Sequence, residues 1–542
     1  MSPTADPVAE LRAAVAAAAA ELSGNGASKS FSFDRPPKPE FGDYSTNAAM
    51  LLAPTMGEQP RAIAEKLGGL VEQKLADEVQ KVDVAGPGFL NLFMSDAWWR
   101  DSLTAAVGAG NAFGGGVVET AERILVEFVS ANPTGPVTVA SARHAAYGDS
   151  LSRVLEFAGH EIEREYYVND EGGQVRRFGE SIKARARGEE PPEDGYHGEY
   201  VKELARQIEG AADADPQLLA RRGIEMMIEG VQATLERFRV HMDQFFFESS
   251  VHEKKEIEHA LEILDERGHL YEHEDALWLR TTSFGDDKDR VLRRSAGDYT
   301  YFAPDIAYHV DKRERGFDRL IDVWGADHHG YQHRMQAAWQ ALGGEPGRLE
   351  LIIMQLVNLV ERGQRVQMSK RKGDFVTLDD LIDDIGVDAA RFFLVQRSHD
   401  TTLDLDLTLA REQSQDNPVY YVQYAHARIA SILRKAGEER VAAALSASYS
   451  EELHPSARAL LKRLLAFPDE VAIASARRAP HRLTTYAHEA AQDFSAFYRD
   501  CRVVGASEEG GDEDFRIATC VMTQRVLARS LDLLGVSAPE HM

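Results

Sequence analysis

Three separated stretches of the chain set polar and charged residues where they can handle a charged ligand. In RILVEFVSANPTGPVTVASARHAAYGD, residues 123–149, a strand pattern passes through an Asn/Pro/Thr/Gly turn into the start of a helix. A helix start offers unpaired N–H groups and partial positive charge, which suits phosphates. Gly135 and Pro136 fit a turn that lets backbone and ligand come close. Glu127 interrupts the apolar strand near its carboxyl end, where open α/β sheets bind ligands, and a carboxylate there accepts from an ammonium group. The plainer alternatives are an ordinary βα turn and a paired or edge carboxylate. In VQMSKRKGDFVTLDDLI, residues 366–382, Lys370, Arg371 and Lys372 suit the charge developing on a triphosphate, although such triplets also serve as solvated surface. In DYTYFAPDIAYH, Tyr301 and Asp305 stand one helical turn apart. A carboxylate meets a planar guanidinium bidentately, and a tyrosine completes such a pocket. A core tyrosine beside an N-capping aspartate is the plainer reading. In WGADHHGYQHRM, residues 324–335, His329 and His333 have metal-ligand spacing with Asp327 near. No third firm ligand or general-base motif accompanies them, so no metal site is expected.

These residues need a framework. From about 120 to 400, strand-like runs alternate with amphipathic helices, which favours a parallel α/β sheet. The first strand carries Ile124, Val126 and Phe128 alternating with Leu125 and Val129. The helix after it is expected to start near Ser141 as N-cap and to stop at Gly159, with Leu151, Val154, Leu155 and Phe157 at helical spacing. Polar, turn-rich insertions are expected at 185–200 and 283–300. Residues 1 to about 95 read as a separate module that opens with a helix, and GAGNAFGGG at 108–116 reads as a linker. From about 405 onward the pattern is helical, with NPVYYVQYAHARIASILRKA and APHRLTTYAHEAAQDFSAFYRD repeating apolar and aromatic residues at i, i+3, i+4. No fixed-period repeat runs along the chain.

The bulk numbers narrow the class. A length of 542 residues suggests about three or four domains. The chain is 44% hydrophobic and 27% charged, ordinary for a globular protein with a sizeable core. Cys501 and Cys520 make neither a disulfide framework nor a cysteine zinc site, which fits a reducing cytosol. The apolar run LRAAVAAAAA at 11–20 is flanked by Glu10 and Glu21 and reads as helix, not signal peptide. No apolar run approaches a bilayer span, so no membrane association is expected. A formal net charge of −27 excludes a general DNA or RNA coat, while local basic patches still allow a specific RNA partner.

EFVSANPTGP resembles the signature region of the arginyl-tRNA synthetases, a class I family, in its bacterial type. The resemblance implies that Glu127 and Asn132 hold the α-amino group of L-arginine, that Tyr301 and Asp305 form its side-chain pocket, and that His328 contributes to the site. It implies ATP binding by Pro133, Thr134, Gly135, Pro136, Ala140, Met368, Ser369 and Lys370. Thr138, Ala140 and Ser141 stand where the family usually has His, Gly and His, so Thr138, Ser141 and Lys370 form the implied catalytic set. Arg143 and His144 lie close enough in sequence to supply positive charge there instead; their plainer reading is a solvated helix face. Met368-Ser369-Lys370 matches the family's second signature, Lys-Met-Ser-Lys, with Gln367 replacing its first lysine. YYVNDEGGQVRRFG at 166–179 matches an active-site wall, and FGDYSTNAAMLLA at 41–53 matches an add-on domain that in the family contacts the tRNA elbow. LDLLGVSAPEHM resembles the bacterial C-terminus. On the C-terminal helices, Tyr420, Tyr424 and Arg428, with Tyr421, Gln423 and His426, suit stacking on anticodon bases, although aromatics at this spacing also serve as core.

The implied architecture is an α/β Rossmann-like catalytic domain with a parallel sheet at 120–404, an N-terminal α+β add-on domain at 1–110, and a C-terminal all-α anticodon-binding bundle at 405–542. The implied activity is ATP-dependent joining of L-arginine to tRNA(Arg), with Mg2+ accompanying ATP, no tightly bound cofactor, no DNA partner, a cytoplasmic location and a monomeric state. A non-catalytic regulatory relative that binds tRNA or arginine is the alternative. A class I ligase for another amino acid is a third reading, which the carboxylate of Asp305 opposes.

Overall fold

The computed structural model describes residues 6–24, 31–36, 38–366, 369–371 and 374–542, with the side chains of 369–371, 374–375 and 509 outside that description. The first module opens on a helix, Pro7–Ser23, capped by the Asp6 carboxylate, which accepts from the backbone N–H of Val8 and Ala9. Four antiparallel strands follow: β1 (Phe33–Asp34), β2 (Tyr44–Thr46), β3 (Val79–Ala85) and β4 (Phe89–Met94), in the order β1-β2-β4-β3. The buried Tyr44, Trp98 and Trp99 rings pack together beneath this sheet.

The second module is built on a five-stranded parallel sheet. Its strands are β5 (Arg123–Glu127), β6 (Glu161–Val168), β7 (Gln244–Phe247), β11 (Arg319–Gly325) and β12 (Leu349–Met354), in the order β12-β11-β5-β6-β7. Between them a small antiparallel sheet forms from β8 (Leu270–His273), β9 (Ala276–Leu279) and β10 (Arg290–Arg293). The expected insertion at 283–300 is thus partly strand, because β10 pairs with β9. Ile124, Leu125 and Val126 are all fully buried, as covering both faces of a parallel sheet requires. The chain runs from β5 toward β6 on one side and from β11 toward β12 on the other. The crevice at the carboxyl ends of β5 and β11 is therefore the switch point at which such sheets bind ligands.

The helix after β5 spans Val139–Ala158 and stops at Gly159 as expected. Its start lies earlier than the pattern suggested. Thr138, not Ser141, is the N-cap, and its hydroxyl accepts from the Ser141 N–H at 3.5 Å. The glycine-rich 108–116 segment is not a loose linker. Gly114, at φ +85°, lies so close to Phe467 that a Cβ would come within 2.5 Å of its ring, and a Cβ on Gly115 would meet Phe157 at 2.9 Å. The Gly116 N–H donates to Phe157 O at 2.9 Å, which fastens the joint to the end of the Val139–Ala158 helix.

The third module is helical, with long helices at Pro418–Ala436, His481–Asp500 and Glu513–Leu533. It meets both others. Arg458 donates to Met94 O at 3.0 Å and pairs with Asp96, while Arg12 pairs with Asp469 at 2.9 Å. Tyr147 on the Val139–Ala158 helix donates to Arg478 O at 2.7 Å. Among the described residues, no helix is long and apolar enough to cross a membrane.

Candidate active site

The turn leaving β5 is under backbone strain. Val129 and Ser130 both have positive φ, +70° and +38°. A β-branched residue there is a true outlier, at a cost of about 1–3 kcal/mol for such a residue. Ser130 holds the bend: its hydroxyl donates to Glu127 Oε1 at 2.8 Å and accepts from the Tyr167 N–H at 3.1 Å. Tyr166 and Tyr200 donate their hydroxyls to Ala131 O and Thr134 O, which sets the path of the turn.

Beyond the bend lies a cleft of about 760 Å³. Asn132, Thr134, Gly135, Pro136, Thr138 and Ser141 line it, facing Tyr196–Tyr200 from the 185–200 insertion. Six of the sequence-derived positions are thereby gathered round one cavity. Pro133 is buried behind the turn, and Ala140 is exposed on the helix but does not line this cleft. The Thr138 and Ser141 hydroxyls stand 3.5 Å apart. Val139 N donates to Val376 O and Leu378 N to Val137 O, so the segment after the Met-Ser-Lys motif is stitched to the helix start. That motif is partly described: Ser369–Arg371 pairs with Asp374–Phe375 as a short hairpin. Met368 lies outside the described residues, as do the side chains of Ser369 and Lys370.

Arg143 fits neither of its two readings. It is 1% exposed, and its guanidinium donates to three backbone carbonyls, Gln355 O at 2.7 Å, Thr401 O at 2.9 Å and Ser398 O at 2.9 Å. It clamps distant loops, and with its guanidinium committed to those carbonyls it is not available to a phosphate. His144 is half-buried, and burial, with Arg143 beside it, lowers its pKa to about 4. It is neutral at pH 7 and brings no positive charge.

At the other end of the site, carboxylates gather. Asp305 is half-buried on the helix Phe302–Glu314 and accepts from the Tyr331 hydroxyl. Burial raises its pKa, against the pull of Tyr331, with Glu127 adding to the rise. Glu248, 7% exposed at the end of β7, is pushed up to about 7 by burial first and by Asp305 second. Neither carboxylate is ion-paired with a lysine or arginine among the described residues. Tyr301 is 71% exposed at the helix N-cap, with its ring beside Gly172. The helical-turn spacing thus leaves Tyr301 exposed and Asp305 half-buried. His328 is exposed beside Asp327 and Trp324, close enough for its charge to act on both Asp305 and His144.

A buried network that spacing did not reveal starts on the same helix. Lys312, fully buried, donates to Glu127 Oε2 at 2.6 Å and to Asp322 Oδ1 at 2.8 Å. Burial pulls its pKa down, but Asp322, Glu127 and Glu165 together outweigh burial and hold it above the usual lysine range. His309 bridges Asp305 O at 2.7 Å and Asp322 Oδ2 at 2.9 Å. Asp305, His309 and Lys312 recur at i, i+4, i+7 on one helix, a polar stripe among apolar neighbours that was present to be read. Glu127 is therefore a paired carboxylate, yet among the described residues its two oxygens accept one bond each, from Lys312 and Ser130. An ionised carboxylate offers about four acceptor sites, so capacity remains for an ammonium group. Asn132 stands exposed on the cleft and accepts weakly from Gln174 at 3.4 Å.

On the third module, Tyr420 and Tyr424 stack at 6.2 Å, and the Arg428 guanidinium lies over Tyr424 at 4.7 Å and over Tyr498 at 5.6 Å. Tyr498, which the sequence reading missed, is 41% exposed and lengthens this ladder. Gln423 and His426 do not belong to it. They are buried and hold the chain's own end, with Gln423 donating to Ser537 O and His426 Nδ1 hydrogen-bonded to Pro539 O. Tyr421 turns inward to Ser495 and His488. Among the described residues no three His, Cys, Asp or Glu side chains gather to hold a metal.

Comparisons with known proteins follow the same order along the chain. The model for the arginyl tRNA synthetase N terminal domain matches residues 9–94, and that for the class I (R) tRNA synthetase catalytic domain matches 105–191 and 192–427. The model for the DALR anticodon binding domain matches residues 422–542. The arginine–tRNA ligase of Bacillus subtilis is 45% identical over 515 residues, covering 92% of each chain. That of Geobacillus thermodenitrificans is 45% identical over 522 residues, again covering 92% of each. The solved arginyl-tRNA synthetase of Thermus thermophilus superposes with a TM-score of 0.79 at 25% identity, covering 98% of this chain and all of that one.

Proposed function

We infer the division of labour within this site from one premise: the chain belongs to the arginyl-tRNA synthetases of class I and is an arginine–tRNA ligase. ATP, L-arginine and tRNA(Arg) are its substrates. The family members at 45% identity support this catalytic activity and not a regulatory relative. An arginine carboxylate oxygen attacks the α-phosphorus of ATP, pyrophosphate leaves, and arginyl-adenylate forms. A terminal ribose hydroxyl of tRNA then attacks the activated carbonyl and AMP leaves. No covalent enzyme nucleophile is needed, so catalysis is orientation and charge stabilisation.

The observation that carries the pocket assignment is the pair Glu248 and Asp305. Each is held toward its protonated form by burial, and Asp305 adds to the rise at Glu248. A guanidinium laid against both supplies the missing positive charge and fits a carboxylate bidentately. Tyr301 closes the rim and His328 flanks the pocket, while Glu127 and Asn132 take the α-amino group at the mouth of β5. The triphosphate lies in the cleft at the start of the Val139–Ala158 helix, against Thr134, Gly135, Pro136, Thr138 and Ser141, with Pro133 and Ala140 shaping the turn and helix start. Met368, Ser369 and Lys370 are assigned to the triphosphate by the family's second signature alone, since Met368 and the two side chains lie outside the described residues. Magnesium travels with the triphosphate and neutralises part of its charge. Mg2+ commonly binds through substrate phosphates with one or two carboxylates, so this role calls for no dedicated protein cage. Tyr420, Tyr424 and Arg428 stack on anticodon bases.

The working modules are 1–110, 120–404 and 405–542, in a monomer of the cytoplasm, off the membrane and without a DNA partner. The net charge of −27 supports the last point. The test is ATP–pyrophosphate exchange with arginine and tRNA. Asp305→Ala is expected to lower kcat/KM for arginine by on the order of 100-fold or more, because it leaves half of a buried charge pair unmatched, with KM for ATP unchanged. Arginine-dependent exchange at the parent rate would place the guanidinium elsewhere.

A further inference from the structure

The phosphate end of the site lacks an imidazole at Thr138 and Ser141, yet one stands a single turn further along the same helix. His144 shares the exposed face with Ala140 and Ser141, while Ala142, Arg143 and Ala145 point inward. It reaches across the switch-point crevice to the end of β11, where a Cβ built on Gly325 would lie 3.7 Å from His144 Cε1. Asp327 and His328 flank the same spot closely enough to act on its charge. Neither ring nitrogen of His144 has a hydrogen-bond partner among the described residues, although Arg143, its neighbour, has three. A half-buried imidazole with both nitrogens unspent, facing the ligand crevice of a parallel sheet, is an unusual outlay for a structural residue.

We propose that His144 contacts the ribose end of ATP, donating to or accepting from a ribose hydroxyl in the crevice between β5 and β11. The proposal rests on that crevice being the ATP site. Three residues of helix displace His144 about 4.5 Å along the axis from Ser141, past the phosphates at the helix start. A phosphate oxygen only accepts and favours charged donors, whereas a neutral imidazole offers one donor and one acceptor, which a hydroxyl can match in either sense. The low pKa of His144 agrees with that neutral role.

The experiment uses the full-length enzyme with arginine and tRNA in pyrophosphate exchange, comparing ATP with 2′-deoxy-ATP and 3′-deoxy-ATP. His144→Ala is expected to raise KM for ATP about tenfold, the worth of roughly one hydrogen bond, with KM for arginine within twofold. For the analogue lacking the contacted hydroxyl, the penalty of His144→Ala should vanish, and His144→Asn should recover part of the loss. An ATP KM within twofold of the parent, or an equal penalty with all three nucleotides, overturns the proposal. Gly325→Val, which fills the crevice wall, separates the two layers of the argument. Loss of ATP use in Gly325→Val with His144→Ala unaffected removes His144 alone, while normal ATP use in both removes the crevice as the nucleotide site.

Discussion

At the end of the site proposed for the arginine side chain the fixed groups are carboxylates, Glu248 and Asp305, with a buried lattice of Lys312, His309 and Asp322 adjoining the helix turn of Asp305. At the end proposed for the phosphates they are two hydroxyls 3.5 Å apart on a helix start, with Val376 and Leu378 stitched beside them. In that proposal the first end selects: its carboxylates are in place before the amino acid arrives, held toward their protonated forms by burial, so the guanidinium supplies the charge they lack. The second end, in the same proposal, relies on backbone N–H groups, neutral hydroxyls and side chains brought in from outside the sheet. Discrimination among amino acids gains from rigidity, whereas a polyphosphate that enters, reacts and leaves as pyrophosphate is better served by groups that do not hold it too firmly.

Variants at the two ends should therefore fail in different ways. The largest effect after Asp305→Ala is expected at Lys312. Lys312→Met leaves Glu127 and Asp322 buried without their cation, which costs about 3–5 kcal/mol. It should lower the apparent melting temperature and raise KM for arginine more than KM for ATP. A thermal melt close to that of the parent would show the lattice to be dispensable and erase the contrast in rigidity. A smaller effect is expected with pH. Glu248 sits at about 7 before arginine binds, and a guanidinium beside it favours the ionised form. The unbound site must therefore lose a proton below pH 7, so KM for arginine should fall about tenfold from pH 6 to pH 8 and then level off. Glu248→Gln should flatten that slope; a slope retained in the variant would assign it to another group. The smallest effects are expected at the helix start. Thr138→Ala and Ser141→Ala should each slow exchange by less than about tenfold, since a neutral hydrogen bond contributes about 0.5–1.5 kcal/mol net. Thr138→Ala also removes a helix cap. Unchanged rates in both would leave the phosphates to backbone N–H groups, because Arg143 is already committed.

Much of this was legible in the sequence because it is local. The strand–turn–helix order, the stop at Gly159, the place of Glu127 at a strand end and of Asp305 on a helix all follow from patterns a few residues long. The errors have a common physical origin in partners far along the chain. Arg143 is defined by carbonyls more than 200 positions away, at Gln355, Ser398 and Thr401. Gln423 and His426 look outward by periodicity but are claimed by Ser537 and Pro539. The helix start was misplaced because two hydroxyls three residues apart compete for one cap, and only the chain's entry, stitched to Val376 and Leu378, decides for Thr138. Glu248 carried no local mark, since its shift comes from burial and from Asp305, distant in sequence.

The glycines at 114 and 115 bear on how this chain can change over generations. A side chain at either would drive into Phe467 or Phe157, and Gly114 also needs its left-handed backbone. Either substitution would force those rings to shift, although neither glycine lines the cleft. The joint is a place where drift is arrested by fit alone, and where an exchange of modules between lineages would have to carry Phe157 and Phe467 along with it.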